Sequence, residues 1–529
     1  MSSVYHLHSK KIAFWADPAL VFRHVFAPHA YSFWLDSALL MEGMARFSFM
    51  GAIQTGQACN TQHQNSHHHL YHSDSFPVAV SGQLSRWIYY SVREKKLRCQ
   101  CATGAYQEVE KSVFTFLQEE SDNRQHLVKG DHLPFAFDCG WVGYFGYELK
   151  GELSGVHKHG SSLPDAGFMQ TDRAVAFDHQ TQEVYLLCLL ESSDTEKNAL
   201  LWFAQMEARL QYVHTHLPDT ASPAFVHQTQ DLLDHLSIKQ KLVRSERGYL
   251  ADIALCQQKI HAGESYEICL TNKLEQYTNL DPLTYYLAMR PHNPAPYAAF
   301  LRFQHVAIAC FSPERFLCVR KDQQGRAFAE SRPMKGTIGR SADPAKDQAL
   351  LQQLQHSVKD RAENLMIVDL VRNDLGMVCQ TGAINVSKLM AVETFAKVHQ
   401  MISKVCGQLK PEYTAVDCIK ALFPPGSMTG APKVRTMEII DQLESQARGV
   451  YSGALGYLGF NGQLDLNVVI RTAIFSRVAA YHAVAGSPNQ QNPCFHYKMT
   501  LGTGGAITAL SSPEQEFAEI LLKIHALYV

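Results

Sequence analysis

Lys335 stands in the run Arg332-Pro333-Met334-Lys335-Gly336-Thr337, downstream of Ser312-Pro313-Glu314-Arg315-Phe316. An amine held in a desolvated pocket can lose its proton and become a nucleophile; a methyl group cannot. Burial and nearby cationic groups are expected to depress its pKa. Glu314 is either a general acid, if an apolar cleft raises its pKa toward neutrality, or an ion-pair partner for Arg315 or Arg332. A second set of residues could hold a metal. Asp360 and Glu363, three apart in a helical stretch, put both carboxylates on one face. Ser512-Pro513-Glu514-Gln515 reads as an N-cap, an N1 proline and a capping box. The helix it opens carries Glu516, Glu519 and Lys523 on one face and Phe517, Ile520, Leu521 and Ile524 on the other. Surface carboxylates are often merely solvated. Four of them converging in one cleft would repel unless a hard divalent cation with oxygen ligands neutralised them.

A third group could grip an anion. Arg471, in Val468-Val469-Ile470-Arg471-Thr472, is expected to point from a strand and to hold a carboxylate bidentately. Tyr451 offers a hydroxyl proton beside it. Gly502-Thr503-Gly504-Gly505 could present backbone N–H groups, although a plain hairpin is the default reading of Gly504-Gly505. The loop Gly426-Ser427-Met428-Thr429-Gly430-Ala431-Pro432-Lys433 lacks the Gly-Lys-Ser/Thr ending of a phosphate-binding loop, which excludes nucleotide binding.

These residues need a scaffold. The pattern predicts a helix from Tyr249 to His261 closed by Gly263, then a strand over Ser265 to Thr271. Further helices are expected at 344–357, 360–375, 415–422 and 431–445, and strands at roughly 305–311, 315–320, 452–460 and 466–475. Earlier, Trp141 to Tyr147 and Arg173 to Phe177 read as strands. Elements that come in pairs without βαβ alternation argue for α+β. A polar stretch at about 217–245 divides an amino-terminal region, 1–225, from a carboxy-terminal one, 245–529. The 529 residues are 46% hydrophobic and 19% charged with a net charge of -2, so no electrostatic footprint for nucleic acid or an anionic membrane is present. The start has no apolar run of signal-peptide length, and no stretch is long enough to span a bilayer. Thirteen scattered cysteines suggest reduced thiols and a cytoplasmic location. Cys99-Gln100-Cys101 is too tight for usual zinc spacing, and the histidine-rich stretch 62–72 reads as a polar loop.

In this order, Ser312-Pro313-Glu314, the Pro-x-Lys-Gly-Thr turn, Lys359 to Asn364 and Phe423 to Lys433 together resemble the chorismate-utilising enzymes. The lysine of that turn is similar to the aminodeoxychorismate synthase component I branch, where anthranilate synthases carry alanine. The resemblance implies large antiparallel sheets enclosing a cleft flanked by helices, and transaminase-type amination of chorismate at C4. Lys335 would be the covalent nucleophile and Glu314 the acid. Mg²⁺ would be held by Glu363 and Glu519, with Asp360 and Glu516 more distant. Gly336, Thr337, His399, Ser427, Tyr451, Arg471, Gly502, Gly504 and Lys523 match substrate-facing positions. Glu267 stands where isochorismate synthases carry a water-activating lysine and amination enzymes commonly carry glutamine, which argues against water as the nucleophile. No Gly-x-Cys-x-Gly nucleophile element is found, so a separate glutamine amidotransferase subunit, or free ammonia, is the implied nitrogen source. Phe33-Trp34-Leu35-Asp36-Ser37 and Arg46-Phe47-Ser48-Phe49 resemble elements that, in relatives, line a tryptophan pocket. Asp36, Ser37, Arg46 and Ser48 either do so here or knit two sheets together. Anthranilate synthase component I is the rival reading.

Overall fold

The computed structural model describes residues 4–41, 43–54, 82, 84–123, 127–129, 133–192, 196–217, 235–395, 398–482 and 494–527. The histidine-rich stretch and most of the expected connection lie outside these residues. Two twelve-stranded sheets dominate, and the fold is α+β. The first sheet runs Gly430–Ala431, Glu267–Thr278, Cys494–Ile507, Thr472–His482, Val306–Ser312, Tyr297–Phe303, Tyr31–Asp36, Phe47–Ile53, Arg173–Asp178, Glu183–Glu191, Tyr5–Ile12 and Leu127–Lys129. The second runs Met334–Gly339, Val398–Gln408, Ala327–Arg332, Arg315–Lys321, Leu464–Val468, Ala454–Leu458, Trp141–Phe145, Ala166–Gln170, Arg86–Ser91, Lys96–Cys101 and Tyr106–Val109, with Asn385–Thr394 pairing on Val398–Gln408. Every pairing is antiparallel except that of Tyr5–Ile12 with Leu127–Lys129. Each sheet draws strands from both regions of the chain. Tyr31–Asp36 pairs with Tyr297–Phe303 in one, and Trp141–Phe145 with Ala454–Leu458 in the other.

Strand alternation builds the layers. Phe33, Phe49 and Leu301 face inward to the second sheet's Trp141, Phe145 and Leu466. The neighbouring residues Trp34, Met50 and Phe300 face outward, under helices that include Trp202, Tyr249, Tyr286 and Phe517. No helix among the described residues is long and apolar enough to cross a membrane.

The candidate site residues of the carboxy-terminal region lie where one end of each sheet meets the other. Eight elements frame the place: strands β1 (Glu267–Thr278), β2 (Met334–Gly339), β3 (Val398–Gln408) and β4 (Cys494–Ile507), and helices α1 (Pro344–His356), α2 (Val358–Val378), α3 (Lys433–Leu443) and α4 (Pro513–His525). Helix α2 packs against β2, β3 and Gly430–Ala431, and so bridges the two sheets.

Three local expectations are corrected. The strand expected over 466–475 is two strands, Leu464–Val468 and Thr472–His482, broken by a turn in which Arg471 takes φ +50°. Gly504-Gly505 is no hairpin but part of β4. Helix α4 starts at Pro513 as expected, but Ser512 makes no side-chain cap, its hydroxyl donating to Glu514 instead.

Candidate active site

Lys335 sits on a β-bulge. Met334 pairs with Ile402 and Thr337 with Gln400, so β2 spends one residue more than β3 over this interval. A bulge turns a side chain away from the regular ladder direction. Gly336 makes it feasible, with φ +86° and with Asp360 side-chain atoms 2.9 Å from where a Cβ would stand. The Lys335 ammonium donates to Glu267 Oε1 at 2.5 Å, and the two side chains are only 11% and 1% exposed. Burial alone would lower the lysine's pKa, but the Glu267 and Glu363 carboxylates outweigh it and hold the pKa above the ordinary range. The expectation of cationic neighbours is therefore corrected: the surroundings are anionic. Glu267 was singled out in the sequence only as a departure from a pattern. Its partnership with Lys335 spans 68 residues and two sheets, and no local signal announces it.

Glu314 is 5% exposed, immediately ahead of Arg315–Lys321. Burial lifts its carboxyl from 4.5 to about 7, opposed in part by Ser427, Lys335 and the Met334 N–H. Neither Arg315 nor Arg332 neutralises it. Arg315 binds Asp465 and Glu330, and Arg332 binds Glu330. Ser427 Oγ, buried in the 426–428 turn beside this carboxyl, makes no well-formed hydrogen bond of its own. A buried carboxyl that is half protonated near neutrality is suited to donate a proton.

The four carboxylates lie on α2 and α4. Glu363 is buried, its Oε1 has no hydrogen bond, and burial raises its pKa to about 7 against the pull of Lys335. Glu516 is also buried and accepts from Ser511 at 2.8 Å. Between the helices, Lys359 Nζ reaches Glu516 at 2.9 Å and Glu363 at 3.9 Å. Glu519 pairs with Lys523 at 2.7 Å, and burial's upward push on its pKa is overcome by Lys523, Lys359 and Lys335. Among the described residues, no three His, Cys, Asp or Glu side chains stand close enough to share one ion. Lysine ammonium groups fill the role of counter-charge. Lys359 was missed as part of this cluster, though its four-residue spacing to Glu363 was a usable signal.

The residues expected to grip an anion lie along an overhang. The pairing of β4 with Thr472–His482 reaches only to Ala473 opposite Leu501, while its ladder with β1 continues to Ile507. Residues 502–507 therefore have a sheet partner on one side only. Arg471 is exposed at this edge, where the neighbouring strand stops. Gly502 lies under the Tyr451 ring, whose Cγ is 2.1 Å from the position a Cβ would occupy. The Lys523 ammonium donates to Gly504 O at 2.7 Å.

His399 and Thr337 lie on neighbouring strands at the other rim. Both ring nitrogens of His399 are engaged, one with Asp347 of α1 at 3.2 Å and one with Thr394 at 2.9 Å. A substrate contact through the ring would need one of these bonds to open. Thr337 is exposed, and its hydroxyl accepts from Gln400 at 3.4 Å.

The amino-terminal residues divide. Asp36 accepts from Tyr286 and from both arms of Arg290, and Ser48 donates to it at 3.4 Å. Ser37 donates to Phe47 O, and Arg46 turns to Asp178. Asp36 and Ser37, but not Arg46 or Ser48, line a cavity of about 330 Å³ shared with Tyr297 and Asn467.

Comparison with known proteins agrees with this architecture. The family profile described as chorismate binding enzyme matches residues 79–529. Aminodeoxychorismate synthase of Streptomyces pristinaespiralis is 40% identical over 98% of this chain and 64% of its own length. The chloroplastic aminodeoxychorismate synthase of Arabidopsis thaliana is 39% identical over 94% of this chain and 50% of its own. The chain thus spans between half and two thirds of these relatives. Anthranilate synthase component 1 of Synechocystis sp. is 32% identical over 73% of this chain and 75% of its own length. In fold, the crystal structure of anthranilate synthase component I from Streptococcus pneumoniae TIGR4 superposes with a TM-score of 0.66 at 23% identity, covering 93% of this chain and all of that one.

Proposed function

The chain belongs to the chorismate binding enzyme family, and from that premise we propose that it aminates chorismate at C4 to give 4-amino-4-deoxychorismate, the precursor of p-aminobenzoate and folate. The observation that carries the reading is Lys335. It is buried on its bulge, with Glu314 and Glu363 both close enough to influence its charge. An alanine there, as in the anthranilate branch, would offer no nucleophile. In the reaction, the neutral Lys335 amine adds to ring C2 while Glu314 gives its proton to the departing C4 oxygen, which leaves as water. Ammonia then bonds to C4 and the bond from C2 to Lys335 breaks. Arg471, the Tyr451 hydroxyl and the open edge of β4 would hold one substrate carboxylate. Gly336, Thr337, Ser427 and Lys523 would supply the remaining contacts.

Mg²⁺ is the cation proposed for the second carboxylate position. Glu363 and Glu519 would hold it directly and Asp360 and Glu516 through water; the buried Glu363 Oε1 makes no hydrogen bond and has only the Lys359 ammonium at 3.9 Å, so it could turn to a cation. When bound, it would neutralise these carboxylates and orient the ring carboxylate of the substrate. Ammonia would come from a separate glutamine amidotransferase subunit. The test is direct: incubate the purified protein with chorismate, Mg²⁺ and an ammonium salt, and identify the product. Anthranilate with released pyruvate would replace this reading with that of the rival branch.

A further inference from the structure

The pairing of Lys335 with Glu267 has no role in the steps above. It is nonetheless the shortest contact either group makes, and the Lys335 ammonium touches no other acceptor among the described residues. Glu267 opens β1 beneath the paired Ala431, so its backbone is fixed. Its other oxygen, Oε2, is buried and has no hydrogen bond. The Lys335 ammonium is thus the one hydrogen-bond partner of the Glu267 carboxylate among the described residues, and both members of the pair are held out of water. Passing the proton across the 2.5 Å contact would turn the buried ion pair into two neutral groups. Closing the site over a substrate expels water and favours that exchange further.

We propose that Glu267 is the proton carrier of Lys335, taking the ammonium proton before attack and returning it when the lysine leaves. The proposal rests on the amination reading above. Each step balances. The proton moves from Nζ to Oε1, leaving a free amine and a neutral carboxyl. The lone pair forms the N–C2 bond, the ring double bond shifts, and the C4–O bond breaks as oxygen takes the Glu314 proton and departs as water. When ammonia bonds to C4, the C2–N electrons return to Nζ, and Lys335 recovers its proton from Glu267. The new C4 ammonium gives one proton to Glu314, and the site is reset. The other groups that influence Nζ are Glu363 on α2, Glu519 on α4, Glu314 and Cys269. Glu267 is the acceptor in contact with it.

Two measurements on E267Q, with E267D as a second variant, test this. The first follows covalent adduct formation on the peptide 332–337 by rapid quenching and mass spectrometry, from pH 6.5 to 9.5. The ratio of wild-type to E267Q rate cancels the titration of Glu314. It should be at least about 100-fold at pH 7 and shrink about tenfold per pH unit, because the variant must wait for its amine to deprotonate unaided. E267D should recover part of the loss. A ratio near one, or a deficit that stays constant with pH, overturns the proposal. The second measures acetic anhydride labelling of Lys335 against pH in the substrate-free protein. E267Q should move the midpoint lower by more than one pH unit, and an unmoved midpoint overturns the proposal whatever the product proves to be. Failure of the wild-type protein to make 4-amino-4-deoxychorismate would sink the amination reading instead, with the labelling arm still deciding whether the pair is coupled.

Discussion

Glu314→Gln should make the protein a much poorer catalyst and a more stable fold, with the stability gain confined to higher pH. The buried carboxyl is raised from 4.5 to about 7. At pH 7 about half the molecules then carry the proton, against about one in three hundred for an ordinary glutamate, which is what makes Glu314 a usable acid. The same burial has a cost. Because the folded pKa lies above the unfolded one, the unfolded chain binds fewer protons between these values. Stability is therefore full below pH 4.5 and falls as pH rises through about 7. At about 1.4 kcal/mol per pH unit the loss levels off near 3 kcal/mol at pH 8. Glutamine keeps the shape and the hydrogen-bonding capacity of the protonated acid and never ionises. Melting curves at pH 5 and pH 8 should show E314Q nearly equal to wild type at the lower pH and several degrees higher at the upper one. Amination with ammonium should fall by a factor of about 10²–10⁴. An equal melting shift at both pH values, or a variant keeping a tenth of wild-type turnover, would refute the assignment of a protonated, catalytic Glu314.

Four further outcomes are expected. Lys335→Ala should still bind chorismate but lose C4 amination by orders of magnitude, and Lys335→Arg should fare no better; an arginine variant near wild-type rate would make Lys335 a mere electrostatic contact. Removing divalent metal with a chelator should abolish turnover, Mg²⁺ should restore it, and Glu519→Gln should raise the Mg²⁺ concentration needed; full activity in excess chelator would dismiss the carboxylate site. The protein freed of other subunits should use ammonium and not glutamine, with a rate that rises with ammonia concentration; robust glutamine-dependent product would contradict the separate-subunit reading. Gly502→Ala should raise the KM for chorismate and destabilise the fold by about 1–3 kcal/mol, since its methyl would collide with the Tyr451 ring; an unchanged KM would separate that ring from the substrate.

What the sequence disclosed was largely what local periodicity governs. The helix expected at 415–422 is observed over those same residues, closed at its start by the Thr414–Asp417 capping box. Helix α1 starts where expected, and its junction with α2 shifts by one to two residues because Ser357 ends one helix while capping the next; α2 then runs three residues further than expected. Local pattern failed where a distant neighbour decided. The run 466–475 is apolar enough for one strand, but Val469 and Arg471 turn so that neighbouring backbone groups can pair, and the run breaks. The chemistry-bearing types and their order were legible around Lys335, Glu314, Glu363 and Glu519. Their electrostatics were not. Whether a lysine meets cations or carboxylates depends on how two sheets converge, and residue types alone do not specify that.

The sharing of both sheets between the two halves of the chain also sets a timetable for synthesis. Asp36 finds its strand partner at Ala298, and Phe145 finds its own at Ala454, separations of 262 and 309 residues. At roughly 5–20 residues per second, a ribosome needs about 13–60 s to supply the missing strand. During that interval Tyr31–Asp36 and Trp141–Phe145, both rich in aromatic residues, await the neighbours that will complete their ladders. An apolar strand with unpaired N–H and C=O groups is a template for pairing with another chain. The nascent protein is thus open to aggregation until Ala298 and then Ala454 have emerged, and production should depend on chaperone supply and elongation rate as much as on the stability of the finished fold.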